Sequence, residues 1–327
     1  MIQQIAFGTT LCIAIYFIRK RVLDIRNNID LGKNNALNDN VGKRLANMVL
    51  VAFGQKKMFK RFIPAFFHFF IYAGFLVINI EVLEFVIDGL AGTHRIFAPY
   101  LGGFYNVLMN VFEFLAIAVL LACIVMLIRR NVLKIKRFHS AEMSGWPKLD
   151  ANIILVTEII LMCAIVIMNG ADQVLQKTDA GFTSTGFLFF SGQLIPSFQL
   201  LSTHSLIIIE RTAWWFHIVG ILGFAIYVTY SKHLHIFLAV PTTYYASGEN
   251  MGHMNIMPVV TNEVKLMLGI TTENPPQSTP GRFGAKDIND LPWNNLLAAY
   301  SCTECGRCTS ECPANLTGKK LSPRKIM

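Results

Sequence analysis

Four cysteines lie within eleven residues, Cys302, Cys305, Cys308 and Cys312, and Pro313 follows them directly. They read C-x₂-C-x₂-C-x₃-C-P. Thiolates are soft ligands, and this spacing is the one that wraps a [4Fe–4S] cluster. The first three can bind the cubane corner by corner, and Pro313 turns the chain away after the fourth. A structural zinc site or four free thiols are the competing readings. The other three cysteines, Cys12, Cys123 and Cys163, fall singly within apolar runs and read as small buried hydrophobes.

Histidines offer a second chemistry. His217 and His235 are eighteen residues apart in one apolar run. On a continuous helix that is five whole turns, so both rings would project from one face, about 27 Å apart along the axis. That separation is too long for one haem and suits ligands of two stacked haems near opposite membrane faces. His68 lies one to two turns inside the start of another apolar run, at a depth similar to that of His235, so the pair could clamp one iron axially. His233 would point elsewhere. The plain alternative is that His68 is an interfacial histidine and that His233 and His235 reach out to the headgroups. Ionisable residues inside a membrane are costly, which favours the functional reading.

These residues need a membrane to make sense. The 327-residue chain is 53% hydrophobic and 15% charged, beyond what a soluble domain shows. Five apolar runs are long enough to span: Ile2–Ile18, Phe62–Ile87, Phe104–Ile128, Ala151–Asn169 and Thr212–Ala239. The first has no basic segment before it and Arg19-Lys20-Arg21 after it, which makes it an anchor rather than a cleaved signal. Of 29 Lys and Arg, 26 fall between runs one and two, between runs three and four, or from Lys232 near the end of run five onward; only Arg95, Lys177 and Arg211 fall in the other two loops. The positive-inside rule then puts the N-terminus outside and the C-terminal tail in the cytoplasm, where thiols stay reduced and available to a cluster. The net charge of +9 follows from that topology and requires no nucleic acid.

Between the runs, Val41–Lys60 mixes apolar residues with Lys43, Arg44, Lys56 and Lys57 and reads in part as a helix in the interface plane. Leu188–Leu201 is apolar, too short to span, and is expected to pack on the outer surface or re-enter. Pro241 is expected to end the fifth helix, and Pro275-Pro276, Pro280-Gly281 and Pro292 mark a linker. Glu81 and Glu84 are expected to reach the outer headgroups. Glu113 and Glu158 sit deeper, as proton relays or as hydrogen bonds between helices. Arg61, seven residues before His68, could pair with a haem propionate or simply snorkel. Trp214 and Trp215 fit an aromatic belt at the outer end of helix five.

Two family resemblances bear on these residues. Five helices, an outside N-terminus and His217-x₁₇-His235 resemble the gamma (cytochrome b) subunit of respiratory nitrate reductases. That likeness implies two b haems between helices two and five, with helix-two histidines ten residues apart. His68 matches the cytoplasmic one, but the outer position is Ile78. The resemblance therefore implies one haem on His68 and His235 and leaves His217 needing another partner, His94 or His204, or an empty outer site. The segment 284–327, with its CTECGRCTSECPA core and Leu321-Ser322-Pro323, resembles the ferredoxin-like region of heterodisulfide-reductase-type iron–sulfur oxidoreductases. Some of those carry the same membrane domain followed by Ser-Lys-His-x-His, as in Ser231-Lys232-His233-Leu234-His235. They carry two cysteine motifs, and in two-cluster folds the fourth Cys ligates the other cluster. The single motif here leads to the expectation of a truncated sequence whose intact cluster needs cysteines beyond position 312, or else of Cys312 closing a single cluster.

The sequence thus predicts an all-α membrane protein, a five-helix transmembrane bundle with a cytoplasmic α-helical ferredoxin-like tail. Residues 1–240 would form the haem b domain, 241–292 a connector and linker, and 293–327 the cluster segment. Its expected work in a bacterial inner membrane is electron transfer between membrane quinone and a cytoplasmic iron–sulfur or Cys-rich oxidoreductase partner. The rival is a non-enzymatic anchor, assembly or sensor protein that carries a cluster and no haem. A transporter is disfavoured because no paired, interrupted helices recur in two halves.

Overall fold

The computed structural model describes residues 1–35, 40–133, 135–246, 256–270 and 285–326. Five helices in it are long and apolar enough to cross a membrane: Ile2–Ile29, Phe62–Ala91, Gly103–Asn131, Trp146–Thr178 and Thr203–Val228, the first to fifth spans. Among the described residues the remaining structure is short helices, turns and one isolated bridge between Lys33 and Pro292. The chain is an all-α membrane protein. It divides into two compact units, one of residues 1–24, 55–236 and 302–327, the other of residues 25–54 and 237–301. The linker prolines Pro275, Pro276 and Pro280 lie outside the described residues.

In the first unit the spans meet through apolar side chains. Phe7 of the first span packs its ring 5.7 Å from that of Trp214 and 6.2 Å from that of Trp215, both on the fifth. Ile78, Phe85, Val119, Leu161 and Ile165 of spans two to four and Ile218 of the fifth complete the same cluster. Trp214 is buried, so it is a core residue and not part of an interfacial belt. Burial follows from its place between Phe7 and Phe85, both of which it meets ring to ring. Gly74 lets spans two and three approach closely: a Cβ there would sit 2.5 Å from Val119 Cγ2. Small residues at such contacts are what bring membrane helices together where no water drives them.

Four of the five apolar runs lie within the spans as read. The fifth does not. Its helix begins at Thr203 and stops at Val228, eleven residues short of Ala239. The apolar pattern continues, but Thr229, Tyr230 and Ser231 close tight turns onto Ile226, Tyr227 and Val228. Thr229 Oγ1 also donates to the Ile226 carbonyl at 2.7 Å. Asp150 of the fourth span then fixes the break, accepting from the Lys232 N–H at 3.1 Å and from the Tyr227 hydroxyl at 2.5 Å. Lys232–Leu234 is a single 3₁₀ turn and His235–Tyr244 a separate helix that contains Pro241 rather than ending at it. His217 and His235 therefore do not share one helix face.

The expected polar helix after the first span forms over Val41–Met48, with Asn40 capping it through the Gly42 N–H. In the second unit Asn47 Nδ2 donates to the Thr243 carbonyl at 2.6 Å, and Tyr245 meets Trp293 ring to ring at 4.8 Å. Lys33 N–H donates to the Leu291 carbonyl while Trp293 N–H returns to the Lys33 carbonyl.

Candidate functional site

At the Lys/Arg-rich end of the bundle, His68 of the second span and His233 and His235 of the turn after the fifth come together. The His233 and His235 rings lie 5.8 Å apart at 87°, and Phe224 lies 5.6 Å from His233. Burial, then the neighbouring His235 and His68, push the His233 imidazole down to about 4. His235 Nδ1 lies 2.9 Å from the Lys232 carbonyl. A carbonyl only accepts, so Nδ1 carries the proton and Nε2 keeps a bare lone pair, the tautomer a metal ligand needs. Burial holds His235 below its usual value as well, hence neutral. His68 Nδ1 is buried without a partner. Two imidazoles from two elements, one oriented by a carbonyl and one with an orphaned Nδ1, are residues that would hold a haem iron. Arg61, at the start of the same span, is exposed.

The cysteine loop belongs to the same unit. Glu304 and Gly306 take left-handed φ of 46° and 70°, which turns the chain between Cys302, Cys305 and Cys308. Glu304 N–H points at Cys302 Sγ at 3.4 Å and Arg307 Nε donates to Cys305 Sγ at 3.1 Å. Burial pushes the Cys305 thiol up, but the Arg307 hydrogen bonds and charge outweigh it and leave the thiol below its usual value. For Cys302 burial wins and the thiol stays high. Four thiols in one loop with N–H and guanidinium donors aimed at the sulfurs are the donor set of an iron–sulfur cluster. Among the described residues no three His, Cys, Asp or Glu side chains are gathered tightly enough to hold a single metal ion.

Ion pairs fasten this loop to the histidine turn. Lys232 Nζ lies 3.1 Å from Glu304 Oε2, and Arg324 Nη1 lies 2.8 Å from Glu304 Oε1. Arg324 also donates to the Glu142 carbonyl at 2.7 Å, and Ser322 to the Glu142 carboxylate. The loop is thus pinned to the turn between spans three and four as well. Gly306 needs its small size there: a Cβ would meet the Arg137 carbonyl at 3.2 Å on top of the strained φ. Gly306→Ala should therefore lower iron bound per chain several-fold in purified protein, and unchanged iron content would refute the fit.

The other predicted histidines are not brought together. His217 is buried, its Nδ1 donating to the Leu161 carbonyl at 2.9 Å and its ring 5.9 Å from Phe85. Ile78 is buried in the packed apolar cluster that adjoins it, so these residues do not fit a second haem. His204 is exposed in the first turn of the fifth span, about 20 Å along the helix from His217. His94 has both ring nitrogens engaged. Nδ1 accepts from the Thr183 N–H at 3.3 Å, and Nε2 lies 3.2 Å from Asp172 Oδ1.

Sequence reading missed what His94 belongs to. Arg95 is 3% exposed and donates to Asn169 Oδ1 at 2.6 Å, with Glu81 Oε1 and Asp172 Oδ2 each at 3.4 Å. Asp88 holds its backbone, accepting from the Arg95 N–H at 2.8 Å and the Ile96 N–H at 3.2 Å. Glu84 takes the Tyr105 hydroxyl at 2.6 Å. Glu81 and Glu84 are each 2% exposed and so do not reach headgroups. Glu113, also buried, accepts from the Phe190 and Ser191 N–H groups, which makes it a structural acceptor for the loop 179–202. The one available signal was Arg95 itself, a charge in a loop otherwise nearly free of Lys and Arg.

Residues 266–317 match a family described as a 4Fe-4S dicluster domain. The Probable iron-sulfur-binding oxidoreductase FadF of Bacillus subtilis (strain 168) is 26% identical over 317 residues, 96% of this chain and 40% of that protein. The EtfAB:quinone oxidoreductase of Syntrophomonas wolfei subsp. wolfei is 27% identical over 294 residues, 88% of this chain and 37% of that protein. A Probable membrane-anchored ferredoxin of Chromohalobacter salexigens is 41% identical over 45 residues, 14% of this chain and 7% of that protein. The chain spans about two fifths of the length of the first two relatives. No solved structure matches it.

Proposed function

We propose that the chain is a membrane-bound electron-transfer module that links quinone in the bilayer to a cytoplasmic iron–sulfur or Cys-rich oxidoreductase partner. Haem b would be held by His68 and His235, and a [4Fe–4S] cluster by Cys302, Cys305, Cys308 and Cys312. The observation that carries this reading is the Lys232–Glu304 ion pair of 3.1 Å. It joins the turn that bears His233 and His235 to the loop that bears the cysteines, so two redox sites share one end of the bundle. The dicluster match supports the cluster, and the printed name of the Syntrophomonas wolfei relative supports quinone as the membrane-side reactant.

Bound haem supplies reversible one-electron chemistry. The chain's own residues fix its surroundings. His235 presents Nε2 because Lys232 holds its Nδ1 proton, and the same Lys232 reaches Glu304. Arg307 keeps positive charge on Cys305 Sγ. The sequence likeness to the nitrate reductase gamma-type subunit implies a single-haem version of that bundle here, with Ile78 in place of the second helix-two histidine. Residues 1–240 would act as the haem domain and 293–327 as the cluster segment, joined by 241–292.

A reduced-minus-oxidised visible spectrum of the purified chain tests the reading. The expected result is a low-spin b-type spectrum that quinone addition bleaches, beside an iron–sulfur resonance. No haem signal and no quinone-dependent oxidation would favour the anchor or sensor alternative. Orientation in a bacterial inner membrane follows from the charge asymmetry. Ala180→Cys, at an exposed loop position, should react with an impermeant maleimide in intact cells; labelling only after lysis would reverse the topology.

A further inference from the structure

The Lys/Arg-rich end carries more positive charge than its carboxylates can answer. Arg129, Arg130 and Arg137 surround the Phe138 ring at 5.8, 4.7 and 4.8 Å from its centroid. Arg307, in the cysteine loop, lies against Cys305. The nearby acids face other partners. Asp150 holds Tyr227 and Lys232, Glu304 holds Lys232 and Arg324, and Glu142 accepts from Ser322 through Oε2 while its Oε1 is buried with no hydrogen-bond partner. Among the described residues none of these four arginines has an ion pair with a carboxylate, and Arg137 Nε and Nη1 are buried with no hydrogen-bond partner. Its carbonyl meanwhile faces Gly306 between Cys305 and Arg307. Buried guanidinium groups that meet no acid are expensive unless an anion faces them.

We propose that Arg137, with Arg129, Arg130 and Arg307, is the counter-charge of the iron–sulfur cluster and raises its reduction potential. This rests on the cluster assignment made above. On reduction one electron enters the cluster, no bond forms or breaks, and the site gains one negative charge. Fixed positive charge nearby favours that reduced state through a partly buried, weakly screened interaction. Arg137 is a positioning and tuning residue and not a ligand.

The test is a dithionite titration with redox mediators, read by the iron–sulfur resonance of the whole chain in detergent. At the solution potential where the unsubstituted cluster is half reduced, Arg137→Gln should lower the reduced-to-oxidised ratio about tenfold, which for one electron is a midpoint lower by about 59 mV. Arg137→Lys keeps the charge and should stay within about threefold. If Arg137→Gln does not hold a cluster while Arg137→Lys does, the counter-charge is supported, and Arg129→Gln should then shift the midpoint in the same direction. A cluster retained in both glutamine variants with an unmoved midpoint would overturn the proposal alone. Absence of any iron–sulfur resonance in the unsubstituted chain would overturn the cluster assignment and this proposal with it.

Discussion

Replacing His235 with alanine should strip haem b from the chain and leave the bundle folded. His235 lies outside the five spans, at the start of its own helix, and is not among the buried core residues that join them. Its loss does remove the imidazole of this pocket whose tautomer the Lys232 carbonyl already sets. Haem bound per chain should fall by about a hundredfold or more, at or beyond the upper end of the ~10–100-fold loss typical for an outer-sphere hydrogen-bond partner. His68→Ala should give the same loss, because both imidazoles would be needed to hold the group. His217→Ala is the control. It removes a bond to the Leu161 carbonyl from an apolar core and should cost about 1–3 kcal/mol of stability while haem content holds. Pigment stoichiometry on the three variants decides. Full haem in His235→Ala would exclude His235, and His233→Ala would then become the informative substitution, since its ring shares the pocket.

How much of this was readable beforehand depends on whether a signal is periodic or local. Four spans were legible because their apolar runs end where charge begins, as at Arg129-Arg130 and Lys177. The cysteine loop was legible because its ligands are close in sequence. The fifth span misled because hydropathy sees Val228 and Leu238 as one run. It does not see that Thr229 and Ser231 offer side-chain oxygens and that Asp150, from another helix, captures the Lys232 N–H. A tertiary partner ended the helix, and no window on residues 212–239 contains it. The same blindness hid the contact between Lys232 and Glu304, seventy-two positions apart. Glu81 and Glu84 were assigned to headgroups from depth alone, although their partners come from Arg95, Phe97 and Tyr105.

That buried network carries the second large effect. Arg95→Met should destabilise the bundle by about 3–5 kcal/mol, the cost of leaving buried carboxylates without their cation. Glu81 and Asp172, each within 3.4 Å of the guanidinium, would then face each other across an apolar side chain, with Asn169 losing its donor. The Arg95 backbone adds to the cost of error. Its φ of 55° is held by Asp88, which accepts both its N–H and that of Ile96. Methionine would keep those backbone bonds, but it is shorter than arginine and brings no charge and no N–H donor into the site. If the loss is electrostatic, Glu81→Gln in the Arg95→Met background should recover part of it, whereas Glu81→Gln alone should destabilise. A double-mutant cycle on unfolding in mixed micelles measures that coupling. A coupling energy near zero would mean that Arg95 acts through packing against Phe85 and Met109, whose contacts it also makes. A recovery of a kilocalorie or more, of the order expected for residues in one ion-pair network, would place the loop 92–102 among the elements that lock spans two, three and four together, far from the end where electrons are proposed to enter and leave.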